Sequence, residues 1–101
     1  MRKFMGTLIL DDNNDYILSG DNLSTYLNHI YMSNVSNYIE LEIKDDKNYI
    51  QKAKGDLYLQ RDMWDVYDYF VGQFGLGLWL HNHTGEEMTI TIKYAKEESE
   101  S

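Results

Sequence analysis

The feature that most restricts the fold is an internal echo. Gly6-Thr7-Leu8-Ile9-Leu10 returns as Gly55-Asp56-Leu57-Tyr58-Leu59, and Asp15-Tyr16-Ile17-Leu18 returns as Asp68-Tyr69-Phe70-Val71. Leu23, Tyr26 and Leu27 are matched by Leu76, Trp79 and Leu80, and Ile39 to Lys44 by Met88 to Lys93. Leu8 to Leu57 is a step of 49 residues and Leu27 to Leu80 a step of 53, so insertions have to be confined to turns. Self-similarity at this length points to one supersecondary unit built twice.

The unit reads strand–strand–helix–strand. Residues 2–10 form a strand with Leu8 and Leu10 on one face, and Asp11-Asp12-Asn13-Asn14 is a turn by composition. Tyr16-Ile17-Leu18 completes a hairpin, and Ser19-Gly20-Asp21-Asn22 ends it and supplies a helix N-cap. Leu23, Tyr26, Leu27, Ile30 and Tyr31 then lay an apolar stripe along a helix ending near Met32. Ile39-Glu40-Leu41-Glu42-Ile43-Lys44 alternates apolar and charged residues, as a half-buried strand does.

The second unit begins at Gly55 after a connector at 45–54. Residues 63–74 also show helical spacing through Trp64, Tyr67, Val71 and Phe74; the strand formers at 66–71 and the repeat favour a strand. Residues 76–83 give a short second helix, with Gly75 and Gly77 each lowering helix propensity by about 1 kcal/mol. The expected fold is therefore α+β: units 6–44 and 55–93 related by a pseudo-two-fold, a mainly antiparallel sheet, and helices on one side. One domain spans 1–95, and 96–101 is a frayed acidic tail.

Composition narrows the function. Seventeen acidic residues against nine Lys and Arg leave a net charge of −8. That disfavours direct contact with nucleic acid or an anionic membrane surface and favours a protein partner with a basic surface. With no cysteine there is neither a disulfide nor a thiolate metal site, and a cytoplasmic location is the default. No run reaches the length of a membrane span, and the apolar stretch after Met1-Arg2-Lys3 stops at Asp11-Asp12, too soon for a signal peptide.

Two histidines one residue apart, His81 and His83, are the sharpest chemical signal. On a strand they would share a face, with Glu87 as a third ligand. Gly75, His81, His83 and Glu87 resemble most of the first metal-binding motif of the cupin family; Tyr94 stands where that motif has its closing glycine, and the proline of the second cupin motif is missing from this chain. On a helix the two side chains diverge by about 200°, with His83 at the place of Ile30 and His81 at that of Asn28. The helical reading carries no cofactor; the strand reading makes the chain a metal- or small-molecule-binding module.

The paired acids Asp11-Asp12, Asp45-Asp46 and Glu86-Glu87 fall in turns, and no phosphate-binding loop or nucleophile elbow occurs, so the chain reads as non-enzymatic. The expected partner surface has two parts. One is Glu40 and Glu42 on the outward strand face with the flanking Asp45 and Asp46. The other is the aromatic and acidic run Asp62, Trp64, Asp65, Tyr67, Asp68 and Tyr69, which suits anchors in a protein interface. Small size, acidity, absence of cysteine and abundant Tyr, Asn and Asp resemble, in composition, the small phage and mobile-element proteins that inhibit host defence nucleases, such as the anti-CRISPR inhibitors. That resemblance implies occlusion of a basic nucleic-acid-binding surface. A structural oligomeric subunit, with a homodimer as its simplest form, is the remaining class.

Overall fold

The computed structural model describes residues 1–33, 37–61 and 67–94, with Arg61 and Tyr67 described by their backbone alone. The chain is α+β. Its elements are β1 (Arg2–Leu10), β2 (Tyr16–Leu18), β3 (Asp21–Asn22), α1 (Leu23–Tyr31), β4 (Tyr38–Asp45), β5 (Ile50–Arg61), β6 (Tyr67–Val71), β7 (Phe74–Gly75), α2 (Leu76–Asn82) and β8 (Glu87–Tyr94). The strands form one 8-stranded sheet in the order β3-β2-β1-β8-β4-β5-β6-β7. Every pairing among the described residues is antiparallel.

The centre of the sheet follows from alternation. Ile39, Leu41 and Ile43 on β4 and Met88, Ile90, Ile92 and Tyr94 on β8 all point inward. Leu41 lies opposite Ile92 and Ile43 opposite Ile90, while Phe4 of β1 meets Ile90 from the other side. Both helices add their stripes to this core: Leu23, Leu27 and Ile30 from α1, and Leu76 and Leu80 from α2. Each such side chain contributes about 1.5–3 kcal/mol when fully removed from water. Asn22 caps α1, its Oδ1 accepting from the Thr25 N–H at 2.8 Å, whereas Gly75 at the head of α2 offers no side-chain cap. Among the described residues no helix is long and apolar enough to cross a membrane.

Two long strands turn the corners. β1 pairs with β8 over Arg2 to Thr7 and with β2 from Leu8 onward; β5 pairs with β4 up to Asp56 and with β6 from Leu57 onward. The switches fall beside Gly6 (φ 141°) and Gly55 (φ 147°), where the backbone leaves the range open to other residues. A Cβ on Gly55 would stand 2.8 Å from the Gly72 Cα, so the hairpin folds back at backbone contact distance. At Gly6 the corresponding neighbour is the Ser19 side chain. These bends curl the sheet, so that Tyr16 of β2, far from β6 in strand order, reaches α2 and comes near Asp68 of β6.

The structure differs from the sequence reading in three places. The connector expected at 45–54, a turn at 45–48 followed by a segment open to an extended reading, belongs largely to the sheet: β4 runs through Asp45 and β5 begins at Ile50, because Lys52 and Lys54 continue an alternation that pairs with Glu42 and Glu40. The two-residue strands β3 and β7 were not expected; each adds on to a hairpin just before its helix. Leu10 shares a face with Leu8 but is 38% exposed, because it lies beyond the core at the hairpin tip. Residues 76–82 are helical and 67–71 extended, as preferred. The acidic tail at 96–101 lies outside the described residues.

Candidate functional site

The sheet leaves its outer face open. Register sets Lys3, Thr91, Glu42 and Lys52 in one row, with Lys93, Glu40 and Lys54 beside it. A further row runs Met5, Thr89, Lys44 and Ile50. A shallow depression on this face is lined by Glu40, Glu42, Lys52, Lys54, Thr91 and Lys93. Glu40 and Glu42 thus stand among lysines, in cross-strand positions where opposite charges stabilise a sheet by roughly 0.2–1 kcal/mol per pair. They do not form the acidic patch expected of them. The alternation of Lys52 and Lys54 carried the signal, and it becomes readable once β5 is extended back to Ile50.

Asp45 serves the turn between β4 and β5: its Oδ1 accepts from the backbone N–H groups of Lys47 and Tyr49, each at 2.9 Å. Asp11 does the same for Asn13 and Asp15 in the first hairpin. Asp46 is exposed and shares a second depression with Lys44, Glu87 and Met5.

The curl creates a seam that the sequence did not disclose. Tyr16 on β2 donates its hydroxyl to the Gly77 carbonyl at 3.2 Å. Burial pushes the Tyr16 hydroxyl pKa up, and the nearby Asp68 carboxylate adds to the effect. Tyr69 on β6 is raised in the same way, first by burial and then by Asp15 and Tyr31. So Asp15-Tyr16 and Asp68-Tyr69, matched in sequence, also face one another in space. Asp15 is held by the Asn22 side-chain amide at 3.1 Å, and Asp68 lies over Gly77, where a Cβ would come 2.5 Å from its Oδ1. Asp68 and Tyr69 are therefore brought together with Asp15, Tyr16 and Tyr31, residues the sequence reading did not single out. Asp62, Trp64 and Asp65 lie outside the described residues, as does the side chain of Tyr67.

Chemically, the seam offers two carboxylates beside two half-buried phenols that stay protonated well beyond neutral pH. Such a set accepts hydrogen bonds from ammonium or guanidinium groups and offers ring faces for them to stack on.

The histidines separate. His81 is exposed on α2, and His83 is the C-cap residue, its ring tilted against that of Trp79 with the centroids 3.9 Å apart. The His83 Nδ1 lies 3.1 Å from the Glu86 carboxylate, so Glu86 and not Glu87 is its neighbour. Among the described residues no group of three His, Cys, Asp or Glu side chains could hold a metal ion. The chain matches no protein-family model, no curated protein and no solved structure.

Proposed function

We propose that this protein is a small non-enzymatic binding protein that docks on a basic protein surface through its Asp–Tyr seam. The observation that carries the reading is the approach of Asp68 and Tyr16 to the same Gly77, which brings Asp15-Tyr16 and Asp68-Tyr69 together, whereas Glu40 and Glu42 on the sheet face are set opposite lysines. Broad rings supply contact area, and carboxylates supply complementarity to Arg and Lys. An inhibitor that covers a nucleic-acid-binding groove, as the anti-CRISPR proteins do, needs such a surface on a small, net-negative, cytoplasmic chain. The test is affinity capture with the tagged chain, followed by a nucleic-acid-binding assay on the captured partner. The reading expects the chain to compete with nucleic acid and a D15N/D68N variant to compete less. A partner that binds nucleic acid equally well in its presence defeats it.

We infer too that the two units are copies related by a pseudo-two-fold axis. Support comes from register. Stepping 49 residues along the long strands turns Arg2 opposite Ile92 into Gln51 opposite Ile43, a pair found in the sheet. The same step on one strand and 53 on the other turns Leu8 opposite Leu18 into Leu57 opposite Val71. Glu42 lies opposite its own counterpart Thr91, which puts the axis at that pair. Even the Leu8 N–H to Glu86 carbonyl bond, at 2.9 Å, recurs as Leu57 to Asn37, at 2.8 Å.

A further inference from the structure

The strand order hides two open edges. Along Arg2 to Thr7, β1 pairs with β8 alone, and β2 joins it only from Leu8; along Ile50 to Asp56, β5 pairs with β4 alone. Parity decides which backbone groups are left over. Leu8 bonds to Glu86 and Gly85 on the β8 side, and the Leu57 N–H donates to the Asn37 carbonyl on the β4 side. Bonding residues alternate along an antiparallel ladder, so Phe4 and Gly6, like Gln51, Ala53 and Gly55, direct their N–H and C=O groups into the sheet. Those of Lys3 and Met5 on β1, and of Ile50, Lys52 and Lys54 on β5, point outward from the edges. The two edges are unequally protected. On β5 the Gln51 side-chain amide donates to the Lys52 carbonyl at 3.4 Å, and a Cβ on Gly72 would stand 3.0 Å from the Lys54 carbonyl. Covered carbonyls and edge lysines are common guards against strand addition. On β1, among the described residues, no hydrogen bond reaches the outward groups of Lys3 and Met5, and the Met5 side chain is 58% exposed. Ser19 closes this edge only at Gly6.

We propose that the β1 edge docks on the same edge of a second copy of this chain, antiparallel and two-fold symmetric about Phe4. The edge selects this occupant because it complements itself. Under the two-fold, the residues that carry the open groups exchange places, so Lys3 of each copy lies opposite Met5 of the other. Each of these two pairs exchanges two backbone hydrogen bonds. The lysine stem lies along the methionine side chain, and no like charges are set opposite one another. The strands β1, β8, β4 and β5 of both copies then form one continuous sheet. The β5 edge suits such a junction less well, because its Lys52 carbonyl is already engaged and its Lys54 carbonyl is crowded. Pairing β1 with β5 of another copy is also heterologous and leaves an open edge at each end. The junction is short, so the dimer belongs to the weak class of small interfaces.

The experiment is sedimentation velocity of the full chain from about 10 μM to about 1 mM, a range that spans weak association. The sedimentation coefficient should climb from the monomer value toward that of a dimer and no further. It should do so equally at about 0.1 M and about 1 M salt, because backbone bonds and methionine contacts are not screened. Met5→Pro removes one edge-facing N–H and no bond of the β1–β8 ladder, and Met5→Lys sets lysine opposite Lys3 of the second copy. Both variants should stay monomeric across the range, and Met5→Lys serves where the proline disturbs folding. Ile50→Lys, on the other open edge, should dimerise like the wild type. Register is read by cross-linking, since the chain has no cysteine of its own. An oxidised mixture of Lys3→Cys and Met5→Cys chains should give disulfide-linked pairs, the two positions being opposite at a Cα separation of about 5.5 Å. A wild type that is monomeric throughout overturns the proposal. So do dimers that survive in Met5→Lys, dimers lost in Ile50→Lys, oligomers that lengthen with concentration, or a mixture that does not cross-link.

Discussion

Tyr16 and Gly77 meet across 61 residues of chain: the phenol on β2 donates to the carbonyl at the start of α2, 3.2 Å away. The bond joins the first hairpin to the second helix, which strand order alone would keep at opposite ends of the sheet. It is a direct measure of how far the sheet has curled. Tyr16→Phe removes the donor and keeps the ring. Loss of about 0.5–1.5 kcal/mol is expected, as for a neutral hydrogen bond, read as a lower urea midpoint at unchanged slope.

Alkaline pH should act on the same seam. Burial and then Asp68 raise Tyr16, and burial, Asp15 and Tyr31 raise Tyr69. Both phenols therefore hold their protons longer in the folded chain than in the unfolded one. Their stabilising effect is complete below the unfolded tyrosine pKa of about 10 and is lost as pH rises beyond it toward the folded values. The melting temperature should fall more steeply above pH 10 in the wild type than in a Tyr16→Phe/Tyr69→Phe variant. Parallel curves would show that the two tyrosines are not linked to folding.

Gly55→Ala should be among the most damaging small substitutions. The new methyl would stand 2.8 Å from the Gly72 Cα and 2.9 Å from its N, on a backbone held at φ 147°. Strain of this kind costs of order 1–3 kcal/mol before the steric overlap is added. At Gly20 nothing lies within 4 Å, so Gly20→Ala meets the φ penalty alone. Denaturant midpoints of the two variants should differ clearly, with Gly55→Ala the lower.

Reversing Glu40 and Glu42 to Lys tests the sheet face itself. On a solvated acidic strand the double change would be almost neutral. Set opposite Lys52, Lys54 and Lys93, it places like charges in cross-strand pairs. Destabilisation of about 0.5–1 kcal/mol per crowded pair is expected at low salt, shrinking as salt is added. Thermal melts at two ionic strengths read both effects.

The parts of the fold legible in the sequence are those with a strong period. Leu23, Leu27 and Ile30 announced α1, and Ile39, Leu41 and Ile43 announced β4, because each set is fully inward and its neighbours, Ser24 apart, are not. The start of β5 was hidden: in Ile50 to Lys54 only Gln51 and Ala53 are half-buried, so little apolar signal marks it. The seam was hidden for another reason. Tyr16 and Tyr69 are half-buried residues whose partners come from the other unit, and no local pattern records a contact made by bending at Gly6 and Gly55. Asp68 and Tyr69 were singled out as interface residues, but the residues they meet, Asp15, Tyr16 and Tyr31, were not. The His81 and His83 pair depended on one binary choice between helix and strand, and the helix sends the two rings apart.

The interleaving of the strands has a consequence for synthesis. β1 takes its neighbour along Arg2 to Thr7 from β8, the last of the elements to be made. At a ribosomal rate of about 5–20 residues per second, Phe4 emerges seconds before Ile90, its cross-strand partner. During that interval Arg2 to Thr7 have no edge to join, although Leu8 to Leu10 can already pair with β2. Nascent-chain chaperones would therefore find a long-lived target at Arg2 to Thr7, and synthesis of Glu87–Tyr94, not local hairpin formation, sets the earliest moment at which the sheet can close.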